Sequence, residues 1–323
     1  MIVAAGLGTR LLPLTRLLPK PALPVRGVPL VAFQLALLAR HGAREIVINT
    51  HHLPDALEAA ARAWRPDGVT LRFSREPELL GTGGGIRRVA DFLRESDPCL
   101  LLGGDMVLDA DLGALVRRHR EGGHDVTLLL REDPRAGRFG TIGVDREGRV
   151  RRIADRFDLG EESRAGVYAW ANVVSPAAFE SMPAREAFGH LDDWWAPALA
   201  RGRTDVRAHV AGPAEVVWEP VGTPAELLAA NLAALSLSYL DLDAASRRAG
   251  AVVACGADGR PDLVLGAGAR LGRGARLHRA VVFAGERVPD GLRAEGGVFA
   301  GGAWHPCDEA PPAAAGARPG TAG

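Results

Sequence analysis

Lysine is almost missing from this chain: of its 39 basic residues 38 are arginine, and Lys20 is the sole lysine. Arginine serves nearly any exposed cationic role. A chain this biased keeps lysine where a compact ammonium is needed and a wide guanidinium does not fit, so Lys20 is a candidate functional residue before any motif is considered. Cysteine is scarce as well. Cys99, Cys255 and Cys307 are odd in number, far apart and without a CxxC pair, which excludes a disulfide framework and points to a reducing, cytoplasmic setting. The nine histidines, His51-His52 and His119 with His124 among them, lack the spacing that sets two zinc ligands on one helical face. They read as loop and surface residues. No apolar run approaches the ~20 residues that cross a bilayer; residues 1–5 stop at Gly6, and residues 28–39 are interrupted by Gln34. Neither sign of charge dominates, with 39 basic and 39 acidic residues, so no global field attracts nucleic acid or an anionic membrane. The expectation is a soluble protein with neither of those partners, whose anionic ligands are held by a local site.

What is present is an alternation of apolar runs and helical stripes. Residues 1–5, 46–48 and 99–102 are apolar throughout, and 69–73 and 126–130 are apolar except for Thr70, Arg72 and Thr127, as strands buried on both faces are. Between the first two, Leu30, Phe33, Leu37 and Leu38 form one helical stripe that starts after Pro29 and stops at Gly42. Further helices are expected after Pro54, over residues 85–93, and over residues 112–120 before Gly122-Gly123. This order predicts an α/β fold, Rossmann-like, with a mixed, mostly parallel sheet, helices on both faces, and ligands at the carboxyl ends of the strands. After about Ser238 the pattern changes to a six-residue beat, Leu265-Gly266, Leu271-Gly272, Leu277-His278 and then Phe283. Such a beat predicts a short left-handed parallel β-helix. The expected organisation is a domain over residues 1–238, a linker over 239–250, a cap over 251–303 and a disordered tail over 304–323. Val281, Val282 and Phe283 serve either as a contact for homo-oligomers or as the core of the cap itself.

The first strand runs straight into Gly6-Leu7-Gly8-Thr9-Arg10. Glycines at 6 and 8 let the backbone turn sharply and aim successive N–H groups at an anion, and Arg10 and Lys20 add mobile positive charge. A dinucleotide fingerprint needs a third glycine opening the helix, and a Walker loop needs Gly-Lys-Ser or Gly-Lys-Thr. Neither occurs in this chain.

The run Ala4-Ala5-Gly6-Leu7-Gly8-Thr9-Arg10-Leu11-Leu12-Pro13-Leu14-Thr15, followed by Pro19-Lys20-Pro21 and Leu23-Pro24-Val25, resembles the signature of the sugar-1-phosphate nucleotidyltransferases. Leu80-Gly81-Thr82-Gly83-Gly84-Gly85, Gly104-Asp105 and Gly222-Thr223-Pro224 are similar to later motifs of that family. The resemblance implies an enzyme that joins an NTP to a sugar 1-phosphate and releases pyrophosphate. Arg10 and Lys20 would flank the α-phosphate and stabilise its five-coordinate transition state. Ala5, Gly6, Gly8, Thr9, Gly81, Thr82 and Gly83 would bind the nucleotide, and Asp105 would hold Mg2+. Gly140, after Phe139, and the pair Asp155-Arg156 would take the sugar phosphate, the arginine as a bidentate fork.

One position departs from the family pattern. Its second metal ligand is an aspartate two residues after a tryptophan, and Trp218-Glu219-Pro220 places proline there. Either Glu219 reaches round, or Asp105 and the phosphates hold the ion with added waters, or the protein is a non-catalytic NDP-sugar-binding relative. Two substrate pairs fit the resemblance: a mannose-1-phosphate guanylyltransferase-like reaction leads, and an N-acetylmuramate-1-phosphate uridylyltransferase-like reaction follows.

Overall fold

The computed structural model describes residues 1–307; the tail expected at 304–323 therefore lies outside the described residues from 308 onward. At the centre of the main sheet, strand Ile2–Val3 is flanked by Glu45–Thr50 and Cys99–Gly103, both parallel to it, and Thr70–Arg75 adds a fourth parallel strand. Beyond Cys99–Gly103 the long strand Arg164–Val174 enters antiparallel. It then pairs with Val126–Arg131, which in turn runs parallel to Val206–Ala211. A small meander, Ile142–Val144, Val150–Ile153 and Phe157–Asp158, extends the other end of Arg164–Val174. The architecture is mixed α/β with a parallel centre.

The continuous apolar runs follow from burial on both faces. Ile46 and Ile48 pack in one core with Ile2, Leu102 and helix residues Leu35 and Leu38, whereas Val47 and Leu101 enter the opposite core with Met1 and Val126. Alternate side chains of one strand thus meet different helices, and both sets must be apolar. Helix Leu30–Arg40 buries the expected stripe and more. Gln34, the polar break in its sequence, is fully buried and donates from Nε2 to the Met106 carbonyl at 2.6 Å, which ties the helix to strand Met106–Asp109.

Three expectations need correction. The third helix begins at Gly81, not 85, and runs Gly81–Arg88. Glycine opposes a helix by ~1 kcal/mol per residue, but a Cβ at Gly83 would stand 2.3 Å from the Phe188 ring, and one at Gly84 2.2 Å from the Glu186 carbonyl oxygen. Close packing of the 186–188 segment, invisible in the local pattern, outweighs propensity. His119 is no surface residue: it is buried, its Nδ1 meeting Thr127 Oγ1 at 2.9 Å and its Nε2 Ser175 Oγ at 2.8 Å. The segment expected as a linker contains helix Leu242–Arg248, capped by Asp241 and burying Leu242 and Ala245.

The C-terminal region is strand-rich and wound on one step. Val264, Val281 and Val298 stand in parallel register, each 17 residues after the last, and Arg270–Leu271 pairs with Arg287–Val288 at the same spacing. The glycines that follow Leu265 and Leu271 have a physical reason. A Cβ on Gly266 or Gly272 would come within 2.5 Å of backbone in the next turn, at Ala284 or Asp290. The final strand, Ala303–Pro306, continues past the expected boundary at 303. Val281, Val282 and Phe283 are all buried within the chain, so they are core rather than a contact for a second copy. No helix among the described residues is long and apolar enough to cross a membrane.

Val281, Phe283 and Val298 share one core with Leu11, Leu14, Phe33, Val221 and Leu227, so the two parts of the chain are fused by a common interior. Phe283→Ala should accordingly cost about 3–5 kcal/mol and lower the urea midpoint of the whole chain in a single transition. A variant that melts the C-terminal strands alone, leaving the main transition unmoved, would contradict the shared core.

Candidate active site

The loop leaving Ile2–Val3 folds into three short turns, Thr9–Leu11, Leu14–Arg16 and Lys20–Ala22. Leu11 and Leu14 plug it into the core, while Leu7, Leu12 and Leu17 face out. Gly8 is left-handed, with φ +63°, and a Cβ there would stand 2.9 Å from Thr15 Cγ2 and 3.1 Å from Lys20 Cβ. Only glycine lets the Lys20 stem cross beneath the turn. The ammonium of Lys20 then donates to Asp105 Oδ2 at 2.7 Å, with the lysine 13 % and the aspartate 41 % exposed. Asp105 sits between strands Cys99–Gly103 and Met106–Asp109, just past the carboxyl end of the first. The sole lysine and the strand-end carboxylate, 85 residues apart, therefore form one pair.

That pair lies in a cleft of about 230 Å3 whose walls include Gly6, Gly8, Thr9, Arg10, Thr82 and Trp170. Arg10 makes no hydrogen bond or ion pair among the described residues, and its Nη2 lies 3.1 Å from where a Cβ on Gly222 would be. Its charge is thus free for an anionic ligand. Ala5 is buried beside this wall, between the wall residues Ala4 and Gly6. The Ala4 amide donates to Asn49 Oδ1 at 2.7 Å, Asn49 Nδ2 donates to Glu76 Oε1 at 2.7 Å, and the Leu80 amide donates to Glu76 Oε2 at 3.2 Å. This row fixes the first strand's end against Leu80, where the loop ends and helix Gly81–Arg88 begins.

The opposite wall is neutral. Thr82 Oγ1 lies 2.7 Å from His190 Nδ1 and accepts the His190 amide at 3.1 Å. His190 is buried, stacks on Trp170 with centroids 4.4 Å apart, and opens the π-helix His190–Trp195. Burial pushes its imidazole down to about 3, so it is neutral at physiological pH. Trp170 itself has φ +53° and lies where strand Arg164–Val174 slips register between Tyr168 and Asn172. A bulky residue in this conformation is costly and is found where surrounding structure imposes it, often at a site. Trp170 and His190 escaped the sequence reading, since a bulge and a π-helix leave no periodic signal; the one local mark was the pair Tyr168 and Trp170, alternating with alanines.

Other expected residues are placed differently. Gly83 is buried under Phe188 and its amide donates to the Phe188 carbonyl at 2.8 Å, so it shapes the helix start and has no N–H left for a nucleotide. Gly81, with φ +70°, packs against that same carbonyl. Gly140, with φ +73°, lies beside Ala154, and Asp155 and Arg156 are exposed on the next turn. Arg156 pairs with Asp192 at 2.6 Å. None of these three lines the cleft around Asp105. Glu219 does not reach round either. It is held by Arg135 at 3.0 Å, and Arg135 also clasps the buried Asp133 at 2.9 Å, while Pro220 pairs with Met106 in a two-stranded ladder. Among the described residues no cluster of three acidic, histidine or cysteine side chains is set to hold a metal.

A cationic, glycine-lined cleft at the carboxyl ends of parallel strands suits a phosphorylated ligand. The comparisons agree with that chemistry. Residues 1–236 match the family described as Nucleotidyl transferase. The chain is 33% identical over 310 residues to a mannose-1-phosphate guanylyltransferase of Mycobacterium tuberculosis, covering 90% of this chain and 81% of that one. It is 28% identical over 200 residues to a UTP--glucose-1-phosphate uridylyltransferase of Synechocystis, covering 58% of this chain and 52% of the relative, so it spans about half of that protein's length. The crystal structure of HddC from Yersinia pseudotuberculosis shares the fold, with a TM-score of 0.59 and 22% identity over 71% of this chain and 96% of that one.

The buried imidazoles impose a pH dependence on stability. Burial lowers His119 to about 4 and His190 to about 3, whereas the unfolded chain takes up these protons near 6.5. Stability is then full above about pH 6.5 and declines below it, by up to about 1.4 kcal/mol per pH unit for each imidazole. Urea midpoints should fall between pH 7 and pH 4.5, before most carboxylates titrate, and His119→Gln should flatten that slope. An unchanged slope in the variant would contradict a neutral buried His119.

Proposed function

The chain belongs to the nucleotidyl transferase family, and from that premise we propose that it transfers a nucleoside monophosphate from an NTP to a sugar 1-phosphate, with GTP and mannose 1-phosphate as the leading pair. The observation that carries this reading is the Lys20–Asp105 pair beside Arg10, whose side chain has no partner among the described residues, all facing a glycine-lined cleft. The phosphate oxygen of the sugar is already ionised and needs no protein nucleophile. It attacks the α-phosphorus, the bond to the bridging oxygen breaks, and pyrophosphate leaves. Charge builds on the α-phosphoryl oxygens, where Lys20 and Arg10 supply preorganised positive groups. Gly6 and Gly8 bring backbone N–H groups within reach of the triphosphate because no side chain intervenes, and Thr9 borders the same space.

The donor set fits Mg2+ in a limited way. Asp105 offers one hard, half-exposed carboxylate, while Glu219 is engaged by Arg135 and Pro220 has no donor. Mg2+ binds through one or two carboxylates when phosphates and waters complete its shell, so Asp105 would hold it together with the nucleotide. Bound there, the ion would neutralise phosphate charge and align the leaving group. Gly140, Asp155 and Arg156 belong in this reading to a sugar-phosphate subsite that the turn at residues 154–156 would complete by moving inward.

The relatives support guanylyl transfer first and uridylyl transfer second. The C-terminal strands fit a short left-handed parallel β-helix, a reading supported by their constant 17-residue step.

Pyrophosphate release with GTP, UTP, CTP, dTTP and ATP, each against mannose, glucose and N-acetylmuramate 1-phosphates and Mg2+, tests the assignment. GTP with mannose 1-phosphate should be fastest. Lys20→Arg should lower kcat at least ~100-fold despite keeping the charge, since the guanidinium cannot occupy the ammonium's place on Asp105. No turnover with any pair, alongside NDP-sugar binding, would replace the enzyme reading with the non-catalytic one.

A further inference from the structure

The hydrogen bonds behind Thr82 form a row whose direction is set by one carbonyl. Leu101 C=O can only accept, so the side-chain group of Asn172 that meets it at 3.2 Å is the Nδ2 amide. Asn172 Oδ1 is then left to accept from the Tyr168 hydroxyl at 2.7 Å. With its only proton spent there, the Tyr168 oxygen must accept at its 3.1 Å contact with His190 Nε2. That nitrogen therefore carries the imidazole proton, and Nδ1 is bare. Burial keeps the ring neutral, so one tautomer persists. Thr82 must consequently donate its hydroxyl proton to Nδ1, 2.7 Å away, while its oxygen also accepts the His190 amide at 3.1 Å. A threonine hydroxyl has one proton and two lone pairs. Both the proton and one lone pair are committed, and what remains is a single acceptor lone pair on a residue that borders the cleft.

We infer that Thr82 is a fixed hydrogen-bond acceptor that selects nucleotides presenting a ring N–H, and that His190 is the positioning residue that makes it so. Guanine carries that N–H at N1, and uracil and thymine carry it at N3. Adenine and cytosine present a bare ring nitrogen at the corresponding place, which would face the oxygen of Thr82 acceptor to acceptor. An unconstrained hydroxyl could turn to serve either kind of base; the Asn172–Tyr168–His190 row removes that freedom. This inference rests on the nucleotide-transfer reading above and adds to it a reason for discriminating between bases.

The test is nucleotide binding by calorimetry on the full chain, with GTP, N1-methyl-GTP, UTP, N3-methyl-UTP and ATP as probes. Wild type should bind the methylated form of its preferred nucleotide at least about tenfold more weakly than the parent, the scale of one unmade hydrogen bond. Thr82→Val, which keeps the shape and removes the acceptor, should bring that ratio close to one, and Thr82→Ser should retain it. His190→Phe, which keeps a ring beside Trp170 but releases the hydroxyl, should raise ATP binding relative to GTP. Should His190→Phe fail to fold, the Val and Ser variants decide between the outcomes. A ratio that persists in Thr82→Val would mean that the methyl group clashes elsewhere, overturning the role of Thr82 while leaving nucleotide transfer intact. A wild type that binds ATP as well as GTP would overturn the selection itself. Binding of none of these nucleotides would instead overturn the nucleotide reading on which it rests.

Discussion

The ion pair between Lys20 and Asp105 is the contact on which the rest of the site depends. It joins the loop after the first strand to the end of its parallel neighbour, at 2.7 Å. Its geometry requires Gly8, because a side chain at that turn would collide with the lysine stem. It also requires the plugs Leu11 and Leu14, which anchor the loop in a core shared with the C-terminal strands. A compact ammonium on a flexible stem suits this place, partly desolvated and close to a carboxylate. The pair holds a positive group beside a negative one in the cleft, so a polyphosphate entering it meets cations already in position.

The two walls of the cleft divide the labour. One is charged and built from glycine backbone, Lys20, Asp105 and Arg10. The other is neutral, with Thr82 and Trp170 in front and His190, Tyr168 and Asn172 behind. The charged wall suits phosphates, whose recognition needs strength more than direction. The neutral wall suits a base edge, whose recognition depends on which atom donates. Between them, the row from Ala4 through Asn49 and Glu76 to Leu80 sets the spacing.

Much of the charged wall was legible in the sequence, because each part left a local mark: a lone lysine, a glycine pair after a strand, and an aspartate after an apolar run. Ile2–Val3, Glu45–Thr50 and Cys99–Gly103 were legible for the same reason, being largely buried on both faces, whereas Thr70–Arg75, expected to be buried as well, is the edge strand and keeps Thr70 and Arg75 exposed. What escaped depends on distant contacts. The helix over Gly81–Arg88 forms because Phe188, more than a hundred residues later, leaves no room for side chains. His190 and Trp170 sit on a π-helix and a bulge, neither of which has a period to read. Asp155 and Arg156 match a family pattern, yet their turn stands away from the cleft and Arg156 is paired with Asp192. Sequence resemblance assigns a residue to a position; it does not say where its loop stands relative to the cleft.

If Lys20 and Asp105 act as one unit, their contributions to catalysis should not add. A double-mutant cycle measures this directly, with kcat/KM determined for Lys20→Ala, Asp105→Ala and the combined variant on the substrate pair that wild type turns over fastest. The expected result is that the double variant is impaired about as much as the worse single one, since groups acting together are strongly non-additive. Losses that multiply would mean that the two side chains work independently and that the site does not depend on their contact.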